Sequence, residues 1–231
     1  MSRISLIELG PGNPNYWATF KEHIASLIIE ALLLLRQRND LVKDEKKLNR
    51  LLYFCIEEAN LNFGLPLPAY DAHNPPHSED EQKAKREDNL PDFYWTLMDH
   101  EANYNSWYRT FALECKRLDK KSKSSNWEYT EQYVMAGILR FFLEEKGYGK
   151  GCETGAMAGY IQDMEFDQIL EEVNSHLTTH GPSIPHLAIP TDAWQRQGVS
   201  YLNHAFNRSY IPMYFSLQHF WLDMKDCLYI E

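Results

Sequence analysis

From Trp17 to Ala59 apolar residues recur every three or four positions, and beyond Gly64 that period gives way to strand-like runs. A helical period of 3.6 and a strand period of 2 cannot share one segment, so the order in which they alternate limits the folds open to the chain. The first helix is expected from about Pro14 to Arg38, on Trp17, Phe20, Ile24, Leu27, Ile28, Ala31 and Leu35. A second follows through "NDLVKDEKKLNRLLYFCIEEANLNFG", with Leu48, Leu51, Leu52, Cys55, Ile56 and Ala59 inside and Gly64 as a candidate terminator. "LPDFYWTLMD" and "WYRTFALECKRL" read as an antiparallel strand pair. "NWEYTEQYVMAGILRFFLEEKGYGKG" is a third helix, "GAMAGYIQD" a buried strand, and "MEFDQILEEVNSHLTTH" a fourth helix. "VSYLNHAF" and "IPMYFSLQHFWLDM" close the chain as strands. The fold class expected is α/β, a central mixed β-sheet flanked by helices.

Composition narrows the class. The 231 residues are 44% hydrophobic and 13% aromatic, which suits a globular core and excludes a disordered chain. "IASLIIEALLLL" is too short to span a bilayer and carries Glu30, so no membrane is expected as a partner. The stretch "MSRISLIELGPGNPNYW" has an acid and a Gly-Pro-Gly break, the wrong pattern for a secretory leader. Cys55, Cys115, Cys152 and Cys227 form no CxxC pair, which points to a reducing cytoplasm. The net charge of −10 argues against a broad basic face for nucleic acid and favours a local basic track, a protein partner or a homo-oligomer.

The chemistry concentrates in "FALECKRLDKKSK". On a strand, Glu114 and Lys116 project to one side, while Phe111, Leu113 and Cys115 project to the other. Each buried ion loses several kcal/mol of hydration unless it is paired or metal-bound. Mg²⁺ takes oxygen ligands, commonly one or two carboxylates. Glu114, Asp92 of the preceding strand and the Cys115 carbonyl can supply them, with Lys116 facing a phosphate. Asp99 competes with Asp92 as the second acid.

"PDFYW…FALECKRL" resembles the signature of the PD-(D/E)XK, or restriction-endonuclease-like, nuclease superfamily. The resemblance covers roughly residues 43–163, with 1–42 as a helical extension and 164–231 as a C-terminal helix and strands of one domain. It implies a Mg²⁺-dependent deoxyribonuclease, with Mn²⁺ as a possible substitute, in which Asp92, Glu114 and Lys116 are catalytic. The metal would be held by Asp92, Glu114 and the Cys115 carbonyl, and by a first-helix acid, Glu57 or Glu58. Gln132 and Tyr133 match an accessory position of the following helix, for which Tyr129 and Arg140 are other candidates. Arg117, Lys120, Lys121 and Lys123 would contact DNA. The run from Tyr133 to Phe141 resembles nucleases of bacterial anti-phage defence. The first core strand would lie near Leu65 to Tyr70. The contrasting expectation is a catalytically inactive adaptor that keeps the same fold. His73 and His77 are separated by prolines, and His176 and His180 show no third ligand in sequence.

Overall fold

The computed structural model describes residues 15–70, 91–98, 108–120, 127–149, 152–189 and 195–229. Two long helices come first, α1 (Tyr16–Arg36) and α2 (Glu45–Asn60). α1 buries Trp17, Phe20, Ile24, Leu27, Ile28, Ala31 and Leu35 along one stripe, with Leu32 and Leu33 widening it. α2 starts at Asp44, whose side chain accepts a hydrogen bond from the Lys47 amide at 2.9 Å. It stops before Gly64, which sits at φ +65°, where a side chain would be strained.

The strands are β1 (Ala69–Tyr70), β2 (Phe93–Met98), β3 (Tyr108–Leu118), β4 (Thr154–Ile161), β5 (Gln195–Arg196), β6 (Val199–Asn207) and β7 (Tyr214–Asp223). They form one sheet in the order β1-β2-β3-β4-β7-β6-β5. β3 to β4 and β4 to β7 are parallel, and the other pairings are antiparallel. This is the mixed α/β sheet expected from the periodicities. β1 is the strand sought near Leu65 to Tyr70, reduced to two residues paired with Phe93 and Tyr94.

Between β3 and β4 the chain runs through α3 (Tyr129–Tyr133), a π-helical turn (Val134–Ile138) and α4 (Leu139–Phe142). α5 (Phe166–His180) follows β4. The sheet therefore has two apolar faces. Phe111, Leu113, Cys115, Ala156, Ala158 and Tyr160 pack with α1 and α2. Ala112, Leu118, Met157, Ile161, Leu217 and Trp221 pack with α3, the π turn, α4 and α5. β4 is buried along its whole length because it is covered on both sides. Its Gly155 is required by packing: a Cβ there would press into the ring of Phe141 at 2.6 Å.

β7, which comes from the C-terminal 164–231 segment, is the direct neighbour of β4. That segment thus completes the central sheet. Arg208, 2% exposed, fastens it to the α4–β4 connection. Its guanidinium donates to the carbonyls of Cys152 (2.9 Å) and Pro212 (3.0 Å), and at longer range to those of Phe141, Tyr148 and Gly149. It stacks on Phe215 and Tyr210. All four cysteines are free thiols. Among the described residues no helix is long and apolar enough to cross a membrane.

Candidate metal centre

β2 is shorter than β3, and that difference builds the site. The last paired position is Phe93 opposite Leu113. Beyond it the β2-facing edge of β3 has no strand partner among the described residues, and its amides find acceptors elsewhere. Two carboxylates take them. Asp92, the residue before β2, accepts from the Cys115 amide through Oδ2 at 2.7 Å. Glu45, in the first turn of α2, accepts from the Arg117 amide through Oε2 at 3.1 Å. The chain thus brings two acids from separate elements to one short stretch of strand edge.

Glu114 and Lys116 project from the same stretch, toward the α3–α4 side. Glu114 is 1% exposed. Its Oε1 accepts from Lys116 Nζ at 2.7 Å and from a guanidinium nitrogen of Arg140 at 2.9 Å. Its Oε2 is buried with no hydrogen-bond partner among the described residues. Lys116 Nζ also donates to the Cys115 carbonyl at 2.8 Å and to Glu45 Oε1 at 3.3 Å. The ammonium therefore sits among three oxygens, from Glu114, Cys115 and Glu45. That is the position and the ligand set a hard cation would take.

The electrostatics agree with a crowded acidic cluster. Asp92 is half-buried as a residue, but its carboxyl lies deep among protein atoms. Burial first, and the Glu114 charge second, push it up to about 8, against the pull of Lys116. Burial also raises Glu114, with Lys116 and Arg140 opposing. For Lys116 burial works the other way, yet the charges of Glu114, Asp92 and Glu45 outweigh it and raise its pKa. Three carboxylates thus face two cations, with one carboxylate oxygen unmatched. A divalent ion beside Glu114 would give the orphaned oxygen a partner and favour the ionised form of Asp92, and oxygen donors of this kind suit Mg²⁺ or Mn²⁺.

Arg140 is placed by α4 and the π turn. Its guanidinium donates to Tyr148 Oη at 2.9 Å and to Glu114, which fixes the Glu114 carboxylate from the helix side. Gly137, in the π turn, lies against the strand. A Cβ there would collide with the Met157 thioether and touch Lys116 Cγ at 3.9 Å. Single π turns inside α-helices frequently mark functional positions.

Glu114, Lys116 and the Cys115 carbonyl are thus bonded together, and Asp92 lies beside them on the Cys115 amide. Other residues go elsewhere. Glu58 is exposed. It lies thirteen residues beyond Glu45 on α2, about 20 Å along the axis. Glu45 is the α2 acid that lies beside Lys116. Tyr133 is fully buried, its hydroxyl bonded to His219 Nδ1 (2.7 Å) and Trp221 Nε1 (2.9 Å), so it belongs to the core. Gln132 is half-buried one residue earlier. Arg140, two turns on, is the helix residue that reaches Glu114. Arg117 is committed to the fold: its side chain binds Gln162 and Asp119 and stacks over Tyr129 at 4.5 Å. Lys120 is exposed, while Lys121, Lys123, Asp99, His73 and His77 lie outside the described residues.

Glu45 could have been found from sequence. Asp44-Glu45-Lys46-Lys47 is a helix start, with a capping acid followed by an acid in the first turn. Placing the helix start earlier, near Asn39, hides it. A scan against protein-family models and searches of curated proteins and of solved structures returned no match to this chain.

Proposed function

We propose that the chain is a metal-dependent nuclease that hydrolyses phosphodiester bonds, with DNA as substrate, on a PD-(D/E)XK-like core. The observation that carries this reading is that Lys116 Nζ bonds Glu114, Glu45 and the Cys115 carbonyl at the edge of β3, with Asp92 on the neighbouring Cys115 amide and Glu114 Oε2 left unpartnered among the described residues.

Asp92, Glu114, Glu45 and the Cys115 carbonyl would hold the ion. Bound Mg²⁺ supplies Lewis-acid stabilisation of the phosphate charge and makes water a better nucleophile at neutral pH. Arg140 keeps Glu114 Oε1 in place, so that Oε2 is the oxygen offered. Lys116, keeping its charge, would turn its ammonium from the oxygens it now bonds to donate to the scissile phosphate or to the oxygen of the attacking water. Exposed Lys120, just beyond β3, supports a backbone phosphate contact.

One observation favours the contrasting adaptor reading. Glu114 Oε1 already binds two cationic groups, as a metal-free structural knot would. A plasmid-nicking assay with Mg²⁺, Mn²⁺ or EDTA separates the two readings. Cleavage by the wild type in Mn²⁺, lost in Glu114→Gln and Lys116→Met with folding retained by circular dichroism, is the expected result. Variants that nick as well as the parent would remove the assignment. A wild type that neither cleaves nor retains Mn²⁺ would select the adaptor.

A further inference from the structure

A second group of metal-ligating side chains lies away from the strand edge, where α3 packs on α5. His176 and His180 are four residues apart on the last turns of α5 and present their rings together, stacked with centroids 6.1 Å apart. α3 brings Glu131 against them, with Oε1 3.1 Å from His180 Nε2. One ligand atom from each of His176, His180 and Glu131 lies within 4.8 Å of the others. Glu128, just before α3, adds a fourth donor 3.7 Å from His176 Nε2.

We infer that His176, His180 and Glu131 form a site for a divalent ion of the Zn²⁺ class, with Glu128 or a water in the fourth position. The donor chemistry makes the choice. Two imidazoles and a carboxylate suit Zn²⁺, whereas Mg²⁺ is held by oxygens. Four-coordinate zinc needs donors about 2.0–2.2 Å from the ion, and ligand atoms within 4.8 Å of one another reach that by small rotamer shifts. Side-chain exposures of 19% for His176, 26% for His180 and 34% for Glu131 leave the ion a route in from solvent. A cavity of about 370 Å³ opens beside the group, lined by Glu128, Tyr129, Glu172 and His176 among others, and gives room for an exchangeable ligand.

The ion would clamp two elements. α3 runs directly into the π turn and α4, which carry Gly137 and Arg140 to the strand-edge centre. α5 is already tied to α3 by Thr130 Oγ1 donating to Glu172 at 2.9 Å. Zinc at His176, His180 and Glu131 would fix the same junction more firmly. It would do so whether or not the strand-edge centre is catalytic, because the two sites share no ligand.

The test is zinc binding by the full chain in excess Mg²⁺, which saturates oxygen-rich sites, with Co²⁺ as a spectroscopic stand-in. The expected result is one Zn²⁺ per chain, a rise in unfolding temperature reversed by EDTA, and the intense visible absorption of tetrahedral Co²⁺. Glu114→Gln should bind zinc as the wild type does. The double variant His176→Gln/His180→Gln and the single variant Glu131→Gln should bind at least about 100-fold more weakly, since loss of a mere supporting partner already costs up to that much. These side chains are partly exposed, so the variants are expected to fold, and circular dichroism checks it. No zinc bound by the wild type, zinc retained by the double variant, or zinc lost with Glu114→Gln would each overturn the proposal.

Discussion

At the scale of single residues, the chain keeps charges and neutral imidazoles in places where water would normally hold them. Glu114 was legible in sequence because a strand with Phe111, Leu113 and Cys115 on one face must aim it to the other. Its Arg140 partner appeared only among several helix candidates, since a π turn shifts the phase by which a side chain would be placed. The buried histidines show the same tension. His204 donates Nε2–H to the Pro185 carbonyl and leaves Nδ1 unpartnered among the described residues, with the His219 ring 5.5 Å away and His186 nearby. Burial, with the neighbouring His186, lowers its pKa from 6.5 to about 4. The unfolded chain therefore binds a proton here that the native state refuses between those values. Stability from this group is complete above 6.5 and is lost as pH falls toward 4. Between pH 7 and pH 5 the loss amounts to about 2 kcal/mol. Urea unfolding of the wild type and of His204→Gln should show their stability difference moving by that amount in the variant's favour on acidification. A pH-independent difference would mean that His204 is not held neutral by the fold.

At the scale of elements, lengths decide chemistry. β3 outlasts β2, and the surplus edge is where Asp92 and Glu45 meet the strand. The strand pair and the four helical stripes were readable because their periods are strong, and β4 because a short apolar run of small residues marks a buried strand. β1 was harder, since two residues that follow Pro66 and Pro68 carry almost no period. Glu131 was out of reach of sequence reasoning, because only the packing of α3 on α5 sets it beside His176 and His180. Gly137 belongs to this scale too. Gly137→Ala must displace Met157 or lift the π turn from β4, and overpacking of this kind costs roughly 1–3 kcal/mol. The same displacement carries Arg140 away from Glu114. Cleavage should therefore fall in this variant even at temperatures where it remains folded. Unchanged cleavage beside a lowered melting temperature would separate the π turn from the proposed metal centre.

At the scale of the whole molecule, the C-terminal third is part of the core. β7 lies against β4, and Arg208 links the β6–β7 hairpin to the α4–β4 connection through carbonyls alone. A planar fork can bond several carbonyls at once, and a lysine ammonium cannot. Arg208→Lys should cost about 3 kcal/mol in chemical denaturation, as buried acceptors lose their donors. A cost below about 0.5 kcal/mol, the range of ordinary surface changes, would rule out this fastening role. The net charge of −10 is spread over the same molecule, and with Arg117 committed to Asp119, Gln162 and Tyr129 the cationic track is narrower than "KRLDKK" suggests. A narrow track is compatible with one phosphodiester held at a metal rather than a long duplex held along a face.

The most direct measurement is anomalous diffraction from crystals grown with Mn²⁺. The expected result is a peak about 2.0–2.2 Å from carboxylate oxygens of Asp92 and Glu114, with the Lys116 ammonium moved out of the oxygen cluster. Mn²⁺ found only elsewhere, or Lys116 still bonded to Glu114, Cys115 and Glu45, would contradict a metal centre at the edge of β3.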